Sequence, residues 1–90
     1  MGITSINPAT GKPIKTYDEI TPEETSILVT QAQETWRSWR NTTFGQRTQL
    51  MKKAGGILRE RKEELARLMA TEMGKPLKQG IAEAEKCARV

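Results

Sequence analysis

One thiol, eleven side-chain carboxylates and no imidazole bound the chemistry open to this 90-residue chain. Cys87 is its only candidate nucleophile, and a thiol attacks as the thiolate. Lys86 and Arg89 would lower its pKa slightly, yet Cys87 falls inside an amphipathic stretch, on or near the apolar face. A thiol there behaves as a small hydrophobe, so a structural cysteine is expected. The absence of histidine removes the commonest general base and metal ligand, and with them every imidazole triad. Carboxylates occur as Glu23-Glu24, Glu63-Glu64 and Glu83-x-Glu85, on helix ends or polar faces. Nothing there desolvates one member of a pair to drive two pKa values apart, so they read as surface charges. Gly74-Lys75 is the one point that looks like a phosphate loop. That loop needs Gly five residues before its second Gly and Ser or Thr after the Lys, and Met69 and Pro76 stand there instead. No G-x-G-x-x-G occurs. The expectation is therefore no catalytic, cofactor-binding or metal-ligating residue within the chain, and no cofactor bound by it.

A second constellation is aromatic and basic. Trp36-Arg37-Ser38-Trp39-Arg40 places two indoles on one helical stripe, with Arg37 and Arg40 expected to point elsewhere, and it could serve as a stacking platform for nucleic-acid bases. Lys and Arg outnumber Asp and Glu by 15 to 11, a net charge of +4 that permits attraction to polyanions without demanding it. Half of the chain's four aromatic residues sit on this one apolar stripe, and such stripes usually form core. Core is the expectation, and no nucleic-acid binding.

The elements that must hold these residues can be read in order. Residues 3–17 carry two β-branched segments around the turn-forming cluster Asn7-Pro8-Ala9-Thr10-Gly11-Lys12, which predicts a β-hairpin. Two strands alone are marginal in water, so the hairpin should rest on helices or on a sheet. Thr21-Pro22-Glu23-Glu24 is a capping box with Pro at the first helical position, and Leu28, Ala32, Trp36 and Trp39 follow at helical spacing, predicting a helix over 22–39. Thr43-Phe44-Gly45-Gln46 is a second capping box. It opens a helix over 44–73 whose apolar stripe is interrupted by the charged run 59–64, predicting a break near Lys62. Within that run Arg59–Glu63 and Glu63–Arg67 are spaced as i,i+4 pairs on a solvated face. Gly55-Gly56 inside the stripe lowers helix propensity by roughly 1 kcal/mol per residue, which suggests the close approach of another backbone. Gly74 and Pro76 end this helix, and Leu77, Ile81, Ala84 and Ala88 mark a last one over 77–90. Its pattern is still in phase at Val90, so we expect the chain to be one portion of a longer protein.

The fold class expected is mainly α with an N-terminal β-hairpin. Leu, Ile, Val and Phe make up only about 18% of the residues, close to the roughly 20% below which chains tend not to hold a core. A chain of this length buries roughly 60 to 65% of its unfolded surface, so its stability is marginal and a covering partner is expected. With one cysteine, no long apolar run and no secretion signal, the expected compartment is reducing cytoplasm, with no membrane contact.

Taken in sequence, Ile6-Asn7-Pro8-Ala9-Thr10-Gly11-Lys12-Pro13-Ile14, then Trp36-Arg37-Ser38-Trp39, then Gln46-Arg47 with Leu50, then Leu65 through Leu77, the chain resembles the N-terminal end of an aldehyde dehydrogenase. Glu72-Met73-Gly74-Lys75-Pro76-Leu77 followed by Glu83 through Ala88 is most similar to the succinate-semialdehyde branch. The resemblance covers nearly all of residues 1–90 and implies the N-terminal part of the cofactor-binding domain, a portion of an α/β fold that uses NAD or NADP. It further implies that the working groups lie outside this segment. In the family a cysteine attacks the aldehyde, hydride leaves for the nicotinamide, a glutamate activates the hydrolytic water, and an asparagine stabilises the oxyanion. Gly45-Gln46-Arg47-Thr48 echoes the family's Gly-Gln-x-Cys nucleophile motif, but Thr48 stands where the cysteine would be, and neither it nor Cys87 inherits that role. The resemblance thus implies a portion inactive alone. Two other readings stand beside it: a stand-alone helical module that self-associates or binds a partner through unpaired apolar faces, and a small basic nucleic-acid binder.

Overall fold

The computed structural model describes residues 2–90. Two strands, β1 (Gly2–Ile6) and β2 (Pro13–Asp18), are followed by four helices: α1 (Pro22–Trp39), α2 (Phe44–Glu60), α3 (Lys62–Met73) and α4 (Leu77–Arg89).

The hairpin is antiparallel, pairing Gly2 with Asp18 and Thr4 with Thr16, whose hydroxyls lie 2.9 Å apart. The Asn7 side chain starts its turn by accepting from the Ala9 amide at 2.9 Å, and Gly11 supplies the left-handed residue (φ 71°) that brings Lys12 back under Asn7. The register shifts between Ser5 and Ile6, as a β-bulge does.

Both capping boxes form as the sequence predicts. Thr21 accepts from the Glu24 amide while Glu24 reaches back to the Thr21 amide, and Thr43 and Gln46 make the same reciprocal pair. The break expected near Lys62 falls at Arg61 (φ −99°, ψ 10°), so the span 44–73 is two helices. That break changes the ion pairing. Arg59 and Glu63 lie on different helices, and neither Arg59–Glu63 nor Glu63–Arg67 is among the pairs formed by the described residues. Arg61 instead grips Glu64 with both arms of its guanidinium, at 2.7 and 3.0 Å, and Lys62 crosses to Glu85 on α4 at 2.9 Å. Gly74 closes α3 in the left-handed conformation (φ 71°), donating to the Ala70 carbonyl.

The core is a seam of small residues. α3 and α4 run antiparallel, with Lys62 beside Glu85 at one end and Lys75 paired to Glu83 nearer the turn. Between them Ala66 and Ala84 are the buried apolar side chains, at 0% and 2% exposure. A Cβ on Gly80 would stand 3.0 Å from both the Cα and the Cβ of Ala66, so the two backbones touch there. α2 joins α4 by the same device: a Cβ on Gly55 would lie 2.9 Å from the Ala88 carbonyl oxygen. The close approach expected at Gly55-Gly56 therefore exists at Gly55 alone, since nothing comes within 4 Å of the Cβ position of Gly56.

These contacts make a slab rather than a ball. The Cα extents are 48 × 37 × 14 Å and the radius of gyration is 17.6 Å, against about 12 Å for a compact domain of this length. The hairpin touches the helices where Pro8 meets Gly74, and α1 buries no residue at all.

Candidate functional site

The uncovered face of the helices is where this chain can do something, and two of its features depart from the sequence expectation. Among the described residues Trp36 and Trp39 are not core; they stand 48% and 42% exposed, because α1 buries no residue and meets the other helices only near its C-terminal end. Arg40 does not point elsewhere. It lies one helical turn beyond Trp36, and its guanidinium sits 4.9 Å from the centre of that ring. Arg47, from the first turn of α2, covers Trp39 at 5.4 Å. Each indole thus has a guanidinium over it and about half of its surface open. Leu28 on α1, Leu50 and Ile57 on α2 and Leu68 on α3 are each about half-exposed.

Cys87 is also exposed, although the sequence sets it on or near the apolar face as a small hydrophobe. It is next to Ala88, which faces α2, but its own side chain turns outward between two shallow grooves. One, of about 450 Å³, lies between α2 and the end of α4, with Phe44, Met51 and Leu58 against Ala88 and Val90. No acidic residue lines it, while Arg47, Lys52 and Arg89 do. The other is bordered by Lys75, Glu83 and Lys86.

The titrating groups that are displaced are structural. Lys62 is raised above the usual ammonium value by its hydrogen bond to Glu85 and then by that carboxylate's charge; Glu85 is lowered for the same two reasons. Arg61 and Glu64 shift in the same opposed directions through their bidentate pair. All four are ion-pair partners at the slab surface, none in a cleft. Among the described residues no group of His, Cys, Asp or Glu is placed to hold a metal, and no helix is long and apolar enough to cross a membrane.

A nicotinamide dinucleotide does not fit the residues present. Its pyrophosphate needs a parallel strand leading through a close glycine turn into a helix N-terminus. Here the strands are antiparallel, β2 enters α1 through Thr21-Pro22, and the two left-handed glycines, Gly11 and Gly74, belong to a hairpin turn and a helix end.

The whole chain, residues 1–90, matches the model described as the aldehyde dehydrogenase family. It is 46% identical over 90 residues to a probable NADP(+) succinate-semialdehyde dehydrogenase of Synechocystis sp., covering 100% of this chain and 20% of that protein. It is 46% identical over 88 residues to an aldehyde dehydrogenase of Paenarthrobacter nicotinovorans, with 98% and 19% covered, and 40% identical over 90 residues to an NADP(+) succinate-semialdehyde dehydrogenase of Mycobacterium avium, with 99% and 19% covered. A solved chain described as "Structural insights into cofactor and substrate selection by Gox0499" superposes with a TM-score of 0.93 at 28% identity, over 99% of this chain and 20% of that one. The chain spans about one fifth of the length of the curated relatives it matches.

Proposed function

Since the chain belongs to the aldehyde dehydrogenase family, we propose that it forms the N-terminal hairpin-and-helix layer of the cofactor-binding domain in an enzyme that oxidises a short semialdehyde, such as succinate semialdehyde, with NADP. The names of the relatives support the substrate and the cofactor. Within that enzyme this layer is scaffold: it supplies no nucleophile, no water-activating carboxylate and no pyrophosphate turn.

One observation carries the reading. Among the described residues the only buried apolar side chains are two alanines, while Leu28, Trp36, Leu50, Ile57 and Leu68 stand half uncovered on a slab 14 Å thick. A stable domain needs a second packed layer around its large apolar residues. In relatives five times as long, the rest of the polypeptide is available to supply it.

Two measurements on the 90-residue chain test this. Incubated with succinate semialdehyde and NADP or NAD, it should yield no reduced cofactor; robust turnover abolished by Cys87→Ser would overturn the reading. By circular dichroism and amide NMR it should be helical with its uncovered apolar side chains poorly fixed, or should self-associate as concentration rises. A well-dispersed spectrum with cooperative unfolding and a concentration-independent monomer would instead favour a self-sufficient helical module.

A further inference from the structure

The junction between α1 and α2 contains a closed polar ring that the scaffold role does not require. Four helix-terminal carbonyls of α1 lack partners within the helix, and the Trp39 carbonyl is among them. It accepts from the Thr42 amide at 3.0 Å, from the Thr42 hydroxyl at 2.7 Å, and from Nη2 of Arg47 at 3.1 Å. Nε of the same guanidinium donates to the Thr42 hydroxyl at 2.8 Å, so the two arms of Arg47 close a ring through Thr42 and Trp39. Cζ of the same guanidinium lies 5.4 Å from the centre of the Trp39 ring, within cation–π reach. Arg47 and Thr42 are half-buried, whereas their neighbours along the connection are exposed. Beyond this junction α1 makes no extended contact with any other element.

From this we infer that α1 is a hinged arm whose direction is latched by the Arg47–Thr42–Trp39 ring. The hinge is the short connection 40–43, which carries Asn41 and two threonines and no packed apolar residue. The latch is specific to arginine. A lysine ammonium keeps the charge but has neither the fixed fork needed to reach a hydroxyl and a carbonyl together nor a plane to lie on the indole. Thr42 is the relay, since its hydroxyl donates to the carbonyl while accepting from Nε. While the ring is closed, the stripe Leu28–Ala32–Trp36 is held ready for whatever layer covers it; once the ring opens, the arm swings about 40–43. This inference does not depend on the proposed enzyme or substrate.

The test is a distance. Spin labels on Cys87 of α4 and on an introduced Ser26→Cys in α1 report the arm's direction by electron–electron double resonance in the 90-residue chain, diluted with unlabelled chain so that only distances within one chain are read. With Arg47 and Thr42 intact a single distance peak is expected. Arg47→Lys and, separately, Thr42→Val should lose that peak to a broad distribution while far-UV helicity is retained. Arg40→Ala, which removes the stacking on Trp36 but bridges no helices, should keep it. The latch is refuted if both ring variants retain the peak, if Arg40→Ala disperses it equally, or if the unsubstituted chain is already as broad as Arg47→Lys.

Discussion

The α3–α4 pair and the α1 arm are built from opposite kinds of residue, and they fare oppositely. Along α3–α4 the contact is made by Ala66, Gly80 and Ala84, residues with almost nothing to bury, yet here the backbones meet and the seam is closed. Along α1 the stripe carries Leu28, Trp36 and Trp39, far more apolar area, and no residue of that helix is buried. Side-chain size measures what a helix could gain from burial; it does not provide the neighbour. Small residues allow two helices of the same chain to approach closely, whereas large ones wait for a second layer.

The sharpest way to break this comparison is to fill the seam. Gly80→Leu would drive a side chain into the Ala66 backbone, and overpacking of this kind should destabilise the α3–α4 pair by about 3 kcal/mol. Loss of helical signal in a urea titration is the measurement, and an unchanged midpoint would show that the seam is not tight.

The two adjacent glycines of α2 give a smaller, internally controlled contrast. Gly55→Ala places its methyl 2.9 Å from the Ala88 carbonyl oxygen and should cost about 1 to 2 kcal/mol despite the better helix propensity. Gly56→Ala meets nothing and should raise stability by roughly 1 kcal/mol. Opposite shifts in thermal midpoint are expected, and shifts of one sign would break the argument.

The ion pair that tops the seam should contribute less, and its sign follows from the direction of each shift. The Glu85 carboxyl is held below its ordinary range by Lys62, so its contribution is present above the unfolded value of about 4.3 and is lost as pH falls through the lowered folded value. The raised Lys62 acts in the other direction, losing its contribution only as pH rises beyond about 10.4 and through its raised value. Glu85→Gln should therefore melt slightly earlier than the unsubstituted chain at neutral pH and equally in strong acid. A difference that persists at low pH would assign the effect to packing.

On the arm the expected effect is the smallest of all. Leu28→Ala and Trp36→Ala should each change the stability of the 90-residue chain by no more than about 0.5 kcal/mol, as exposed substitutions do. At the corresponding positions of a complete relative, where we propose a second layer covers them, large-to-small changes of the same kind should cost about 2 to 5 kcal/mol. Equal effects in both settings would remove the distinction between seam and arm.

Much of the fold was legible because its signals are local. Thr21-Pro22-Glu23-Glu24 and Thr43-Phe44-Gly45-Gln46 name their helix starts through hydrogen bonds spanning three residues, and Gly74 with Pro76 names a helix end through backbone conformation. The ordered pieces from Asn7 to Leu77 likewise carried the family. What eluded the sequence reading is non-local. Lys62 found Glu85, twenty-three residues away, only because α4 folds back along α3, and Arg61, at the break itself, rather than Arg59 pairs with the first turn of α3, since the break separates Arg59 from Glu63. Thr42 and Arg47 carried a weak hint, a hydroxyl and a fork flanking a capping box, but their ring with the Trp39 carbonyl depends on the angle between two helices.

The sequence by itself therefore determined the hairpin, the helix boundaries and the family, since each is written in short-range capping, turn chemistry and periodicity. Only the tertiary structure decided which glycine of Gly55-Gly56 is a contact, that Cys87 faces outward, and that both indoles stand half uncovered. Periodicity shows which face of a helix is apolar. Whether that face is buried depends on what lies opposite it, and that is settled by the relative placement of elements distant in the chain.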